Sequence, residues 1–331
     1  MRRVLVVMVL LLAAMSVASG RLKDRKAPLR GSAESVEFSS KVFHNTRSLR
    51  VLLPPGYHDK KNAGRRYPVF YLNDGYAVFH YWDAEATVYR LIRSGAIEPL
   101  IVVGIDNAGE KERADEYLPY PDETLDPPLP HPHGSLYPQF LVDEVMPYIN
   151  RRYRARIGPA DTGLGGASYG AYIALYTAIN RPGVFGKLLL ESTPLYIADF
   201  RIFKDVGEAR GLPDVISIEV GTKETPDDEV NQKVGENARK LEAAMRAASP
   251  GIRTRVLVES GASHNAEAWK GRLPGALEFL FGKPKIGMHP AADATVFQFL
   301  SVAGRRVMPG VMPRERGVLR TREFPAALRR A

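Results

Sequence analysis

Gly166-Ala167-Ser168-Tyr169-Gly170 is the stretch on which the fold turns. A strand-like segment ending at Leu164 precedes it, and Ala171 to Ile179, a run of good helix formers, follows it. G-x-S-x-G alone is a weak signal; the flanking strand and helix give it meaning. At a sharp strand-to-helix turn the residues beside the serine must be nearly side-chain-free, so that the two chain segments can approach. Such a turn lifts the hydroxyl above the C-terminal edge of a sheet, at the positive end of the following helix.

Working outward, the chain alternates short apolar runs with longer helical stretches. Arg50 to Leu53 ends a strand stopped by Pro54-Pro55-Gly56, and Tyr67 to Leu72 is closed by Asn73-Asp74-Gly75. Leu100 to Ile105, Ile216 to Val220 and Arg255 to Val258 read the same way. Continuous apolar runs, rather than strict alternation, mark strands buried on both faces. Between Asp228 and Ala247, Val230, Val234, Ala238, Leu241 and Met245 fall on one helical face. Tyr137 to Tyr148 carries another such face, and Glu267 to Phe281 is a further amphipathic helix. The alternation predicts an α/β fold, with a mostly parallel central sheet and helices on both faces.

A serine hydroxyl must give up its proton to a base as it attacks. Only His264 and His289 follow Ser168 in the chain, and His264 sits in Gly261 to Asn265, between a strand and a helix, where a base belongs. The residue that orients the imidazole should follow a strand between serine and histidine. Glu224, after Gly221-Thr222-Lys223, is the candidate, with Asp227 and Asp228 as rivals. The order Ser168, Glu224, His264 is that of the α/β-hydrolase fold and not of the other serine-hydrolase folds. An oxyanion hole needs two backbone N–H groups. Tyr169 supplies one, and the turn after Leu72, at Gly75 or Tyr76, the other.

With these residues in place the chain, over about residues 35 to 282, resembles the putative esterase, or enterochelin-esterase-like, branch of the α/β-hydrolases. The resemblance rests on Arg50 to Tyr57, on Pro68 to Gly75, and on Ile105-Asp106-Asn107 with Arg113, Glu116 and Tyr117 downstream. The elbow at Ser168, Gly221 to Glu224, and His264 with Trp269 complete it. Its members include siderophore trilactone esterases, feruloyl esterases, formylglutathione hydrolases and mycolyltransferases. The resemblance implies acyl transfer from a carboxylic ester, with Ser168, Glu224 and His264 matching the triad. Ala171 departs from the second glycine that many relatives carry after the elbow, which would narrow the site.

Arg113, Glu116, Tyr117 and Tyr120 precede a proline-rich loop in the region that roofs the site in this family, and Arg113, Glu116 and Tyr117 are taken as substrate-binding candidates. Arg113 is either a clamp for an anionic or catecholate oxygen or half of a helix-capping pair with Glu116. Tyr76, Phe79 and Trp82 are either helix core or an aromatic wall for an acyl group, and Trp82 joins the substrate-binding candidates. His131 and His133 are too few for a metal site, and no cofactor or metal is expected.

The composition narrows the rest. The 331 residues are 45% hydrophobic and 25% charged, an ordinary globular balance. With no cysteine, disulfides, thiolate metal sites and cysteine nucleophiles are excluded. The net charge of +9 is terminal: residues 2–30 carry +6, residues 283–331 carry +7, and the middle is −4. Charge on two arms rather than on a folded face argues against nucleic acid as a partner. Arg2 and Arg3, the apolar stretch from Val4 to Val17, and Ser16-Val17-Ala18 predict a cleaved signal peptide over 1–18. No stable membrane span is then expected, and the location is periplasmic or secreted. Residues 31–282 form the catalytic domain in this reading, and 283–331 a basic extension that packs loosely or not at all. The expected activity is hydrolysis of a small-molecule or glycan-linked carboxylic ester. The alternatives are an envelope acyltransferase with the same triad, and a non-catalytic envelope-binding protein on the same scaffold.

Overall fold

Apolar runs closed by turn residues become the strands of one nine-stranded sheet, in the order β1-β2-β4-β3-β5-β6-β7-β8-β9. The computed structural model describes residues 33–282 and the backbone of Val296–Gln298. The signal segment at 1–18 and the rest of the 283–331 extension lie outside the described residues.

β1 (Ala33–Ser39) and β2 (Thr46–Leu52) form an antiparallel hairpin at one edge, and β2 runs antiparallel to β4 (Ile101–Ile105). From there the sheet is parallel: β3 (Val69–Asn73), β5 (Thr162–Ala167), β6 (Lys187–Glu191), β7 (Val215–Lys223) and β8 (Arg253–Ser263). β9 (Val296–Gln298) pairs parallel with Arg255–Leu257, a strand within the extension that the sequence reading did not expect. β1 and β6 were also not anticipated.

The helices lie on both faces, as the pattern predicts. α1 (Gly75–His80) and α2 (Ala84–Arg93) follow β3, α3 (Glu110–Tyr117) follows β4, and α4 (Met146–Arg152) continues the turns from Tyr137. α5 (Tyr169–Asn180), α6 (Ile197–Glu208), α7 (Asp228–Ala248) and α8 (Ala266–Phe281) follow β5, β6, β7 and β8. Alternate strand residues feed two cores. Val69 and Tyr71 pack with Phe140, Leu175 and Leu241 on one face. Phe70 and Leu72 pack with Leu91, Trp269 and Leu277 on the other. Each large apolar side chain so buried contributes about 1.5–3 kcal/mol. Because the parallel strands share a direction, the segments after β3, β5, β6, β7 and β8 all emerge at one edge, and the site is built there.

Candidate active site

Ser168 follows β5 with φ 56° and ψ −130°, outside the helical and extended regions. A non-glycine residue held there costs on the order of 1–3 kcal/mol and persists only where its surroundings impose it. Here they do. The Ser168 N–H donates to the Glu191 carbonyl on β6 (2.9 Å), and the Ser168 carbonyl accepts from Ala171 and Tyr172 (3.0 and 3.1 Å), starting α5. The elbow glycines are needed for close approach: a Cβ on Gly166 would lie 2.6 Å from the Gly170 carbonyl carbon. A Cβ on Gly170 would lie 2.9 Å from Asp74 Oδ2. Ala171 is fully buried in the core, so its methyl does not narrow the site.

The turn after β3 is bolted to the elbow. Asn73 Nδ2 donates to the Gly170 carbonyl (2.7 Å), and Tyr137 Oη donates to Asn73 Oδ1 (2.6 Å). Asp74, left-handed at φ 58° and ψ 47°, precedes α1. Gly75 and Tyr76 open α1 and Tyr169 opens α5. First-turn amides have no acceptor within their own helix, so the N-terminal turns of α1 and α5 present backbone donors at the sheet edge that carries Ser168.

β8 runs on to Ser263 and crosses the end of β7 closely: a Cβ on Gly221 would lie 2.1 Å from the Ala262 carbonyl oxygen. That crossing delivers His264 to Glu224, with His264 Nδ1 2.6 Å from Glu224 Oε2. The imidazole stands edge-on to Trp269, with centroids 5.1 Å apart at 86°. Glu224 Oε1 accepts from the Gly221 amide (2.6 Å) and the Ser192 hydroxyl (2.8 Å). Burial alone would raise the Glu224 carboxyl. The hydrogen bond and charge of His264, the Gly221 amide and the Ser192 hydroxyl outweigh burial and hold it below the ordinary carboxylate value. An ionised Glu224 places the imidazole proton on Nδ1 and leaves Nε2 as an acceptor.

Among the described residues no hydrogen bond joins His264 to Ser168 Oγ. The strands that carry them, β5 and β8, stand three spacings apart, about 14 Å at the level of the sheet. The segment after β8 must reach back over β7 and β6, and catalytic contacts of this kind are commonly long until substrate binds.

The rivals of Glu224 have other work. Asp227 caps α7 by accepting from the Glu229 and Val230 amides, and Asp228 pairs with Lys223 at 2.9 Å. The substrate-binding candidates need correction. Arg113 Nε and Nη2 each donate to Asp74 at 2.7 Å, so neither the clamp nor the capping pair with Glu116 is what it makes. Glu116 is buried and pairs with Arg47 and Asn45, away from the site. Tyr117 is core, its Oη accepting from the Asp74 amide (3.2 Å). Trp82 is core too, packed on Trp269 with centroids 5.8 Å apart. Tyr76 lies partly exposed, stacked on His80 at 4.1 Å. His133 pairs with Asp115 at 2.8 Å.

The sequence reading overlooked Asn73, Asp74, Ser192 and Arg272. Asn73 and Asp74 had a local signal, their place in the Asn73-Asp74-Gly75 turn. The others acquire partners only through the sheet order.

Elbow, parallel sheet and post-strand segments together define an α/β-hydrolase. Residues 40–280 match the family model Esterase, described as "putative esterase", and the chain belongs to that family, as a carboxylic ester hydrolase. YjcH of Bacillus subtilis (strain 168), described as uncharacterized, is 28% identical over 204 residues, 60% of this chain and 76% of its own. A solved ferulic acid esterase superposes with a TM-score of 0.57 at 20% identity, over 77% of this chain and 99% of that one. Enterochelin esterase from Shigella flexneri gives 0.60 at 19%, over 76% and 59%. At these identities the two structures speak for the fold. Among the described residues no helix is long and apolar enough to cross a membrane.

Proposed function

We propose that this esterase works through Ser168, His264 and Glu224. The observation that carries the reading is the 2.6 Å contact of His264 Nδ1 with buried Glu224, at the same sheet edge as the strained Ser168. Ser168 Oγ attacks the ester carbonyl carbon while its proton passes to His264 Nε2. The carbonyl oxygen becomes an oxyanion held by the Tyr169 amide and an amide of the Gly75–Tyr76 turn. Collapse expels the alcohol, which takes the proton back from Nε2 and leaves an acyl-serine. Water, deprotonated by the same nitrogen, then releases the acid and restores the hydroxyl. Glu224 stays ionised throughout and stabilises the imidazolium that forms twice.

Export belongs to the same proposal and rests on residues 1–18, which predict a cleaved signal. The substrates we propose are esters of aromatic acids, catecholate lactones or simple acyl esters, a choice that the ferulic acid and enterochelin esterases among the structural neighbours support. Ser168→Ala is expected to lower kcat on p-nitrophenyl acetate by about 10⁶-fold and to abolish labelling by a fluorophosphonate probe. Normal turnover by that variant overturns the mechanism. Rates across simple acyl, cinnamoyl and catecholate-lactone esters then place the substrate.

A further inference from the structure

We propose that Ser192, after β6, is a positioning residue that aims the carboxylate of Glu224 at His264; the inference rests on the serine-esterase reading above. Two donors converge on its hydroxyl oxygen, Trp269 Nε1 at 2.9 Å and Arg272 Nη2 at 3.2 Å. A hydroxyl has two acceptor sites and one proton. With both acceptor sites taken, the proton has one outlet, Glu224 Oε1 at 2.8 Å. That oxygen also receives the Gly221 amide at 2.6 Å, so two donors hold it and Oε2 is left to His264. The direction of every bond in the chain from Trp269 and Arg272 through Ser192 to Glu224 is therefore determined by its ends.

The backbone agrees. Ser192 has φ 47°, a conformation that favours glycine or asparagine, while its N–H still continues the ladder to the Glu219 carbonyl (2.7 Å). Strain of this kind points to a side chain held for its chemistry. Ser192, Glu224 and Arg272 are all buried, so water does not compete for these bonds. Arg272 is anchored in turn by Glu191 Oε2 (2.9 Å) and Glu259 Oε2 (3.1 Å), which leaves Nη2 a fixed donor toward Ser192.

Ser192→Gly separates the two roles of this residue: it removes the hydroxyl and relieves the positive φ. It is expected to lower kcat on p-nitrophenyl acetate about 10- to 100-fold, the worth of one hydrogen bond to a charged group, with KM within about twofold and no fall in Tm. Ser192→Ala should lose kcat to the same extent. In wild type the His264 Nδ1–H proton should resonate far downfield, and in Ser192→Ala it should move upfield. A Ser192→Gly kcat within about threefold of wild type, with Ser168→Ala inactive, overturns the positioning role alone. An active Ser168→Ala overturns the esterase reading and this inference with it. If Ser192→Gly does not fold, a Ser192→Ala kcat within about threefold of wild type overturns the role.

Discussion

Arg113 donates through Nε and Nη2 to the two oxygens of Asp74, and Asn107 Nδ2 adds a third donor to the same carboxylate at 2.6 Å. Both side chains of the ion pair are close to nine-tenths buried. Burial opposes the charge on Arg113, and Asp74 more than offsets it, holding the guanidinium charged. The pair fixes Asp74, whose neighbour Asn73 holds the elbow through the Gly170 carbonyl. An arginine beside a site invites a reading as a substrate clamp, and its partners decide otherwise. Arg113→Ala strands a buried carboxylate, so it should destabilise the protein by about 3–5 kcal/mol in urea unfolding. The double variant Arg113→Ala with Asp74→Asn should recover part of that loss. A substrate clamp would instead raise KM and leave the unfolding midpoint in place, the outcome that sinks this assignment.

At the scale of elements, the site is made by where strands stop. β7 and β8 run past the apolar runs that mark them in the sequence, to Lys223 and Ser263, and the overrun brings His264 to Glu224. Gly221 is the point of crossing. A methyl there meets the Ala262 carbonyl at 2.1 Å, so Gly221→Ala must push the His264 segment away. Overpacking of this kind costs about 1–3 kcal/mol. Gly221→Ala should lower kcat at least tenfold in a protein that still folds, as read by ester turnover and circular dichroism together. Unchanged kcat would show that the crossing has slack. The buried strands were legible because continuous apolar runs admit few alternatives, and Ser168, Glu224 and His264 could be named as candidates because each comes in the turn or loop after a strand. β6 escaped although Pro182, Gly183 and Gly186 break the chain after α5, because Leu188-Leu189-Leu190 is a short run with no β-branched residue and does not tell strand from helix, and with it went Ser192. Trp82 and Tyr117 were misread because an aromatic side chain near a site carries no sign of which way it faces.

Two buried carboxyls, Glu191 and Glu224, are shifted in opposite directions and tie the stability of the whole molecule to pH. Glu191 and Glu219 lie directly opposite each other on β6 and β7, both fully buried. Arg272 contacts Glu191 Oε2 at 2.9 Å and Arg255 contacts Glu219 Oε1 at 3.3 Å. The oxygens without a donor, Glu191 Oε1 and Glu219 Oε2, are the two that a single shared proton would join. Burial pushes Glu191 well above the ordinary carboxylate range, and the neighbouring charge of Glu219 adds to the push against the pull of Arg272. The native state thus holds a proton that the unfolded chain releases. Its stabilising contribution is full below the unfolded value and is lost as pH rises through the elevated native one. Glu224 works the other way: its native value is depressed, so its contribution is present above the unfolded value and is lost as pH falls through the native one. Unfolding free energy should therefore fall on the alkaline side with a slope approaching about 1.4 kcal/mol per pH unit for the one proton of Glu191. Glu191→Gln keeps a hydrogen-bonding side chain with no proton to lose, so it should flatten that limb and leave the acid limb, to which Glu224 contributes, in place. Urea titrations of wild type and Glu191→Gln across about pH 3 to 9 cover both limbs and read the difference directly, and parallel curves for the two proteins would mean that the pair does not hold the proton.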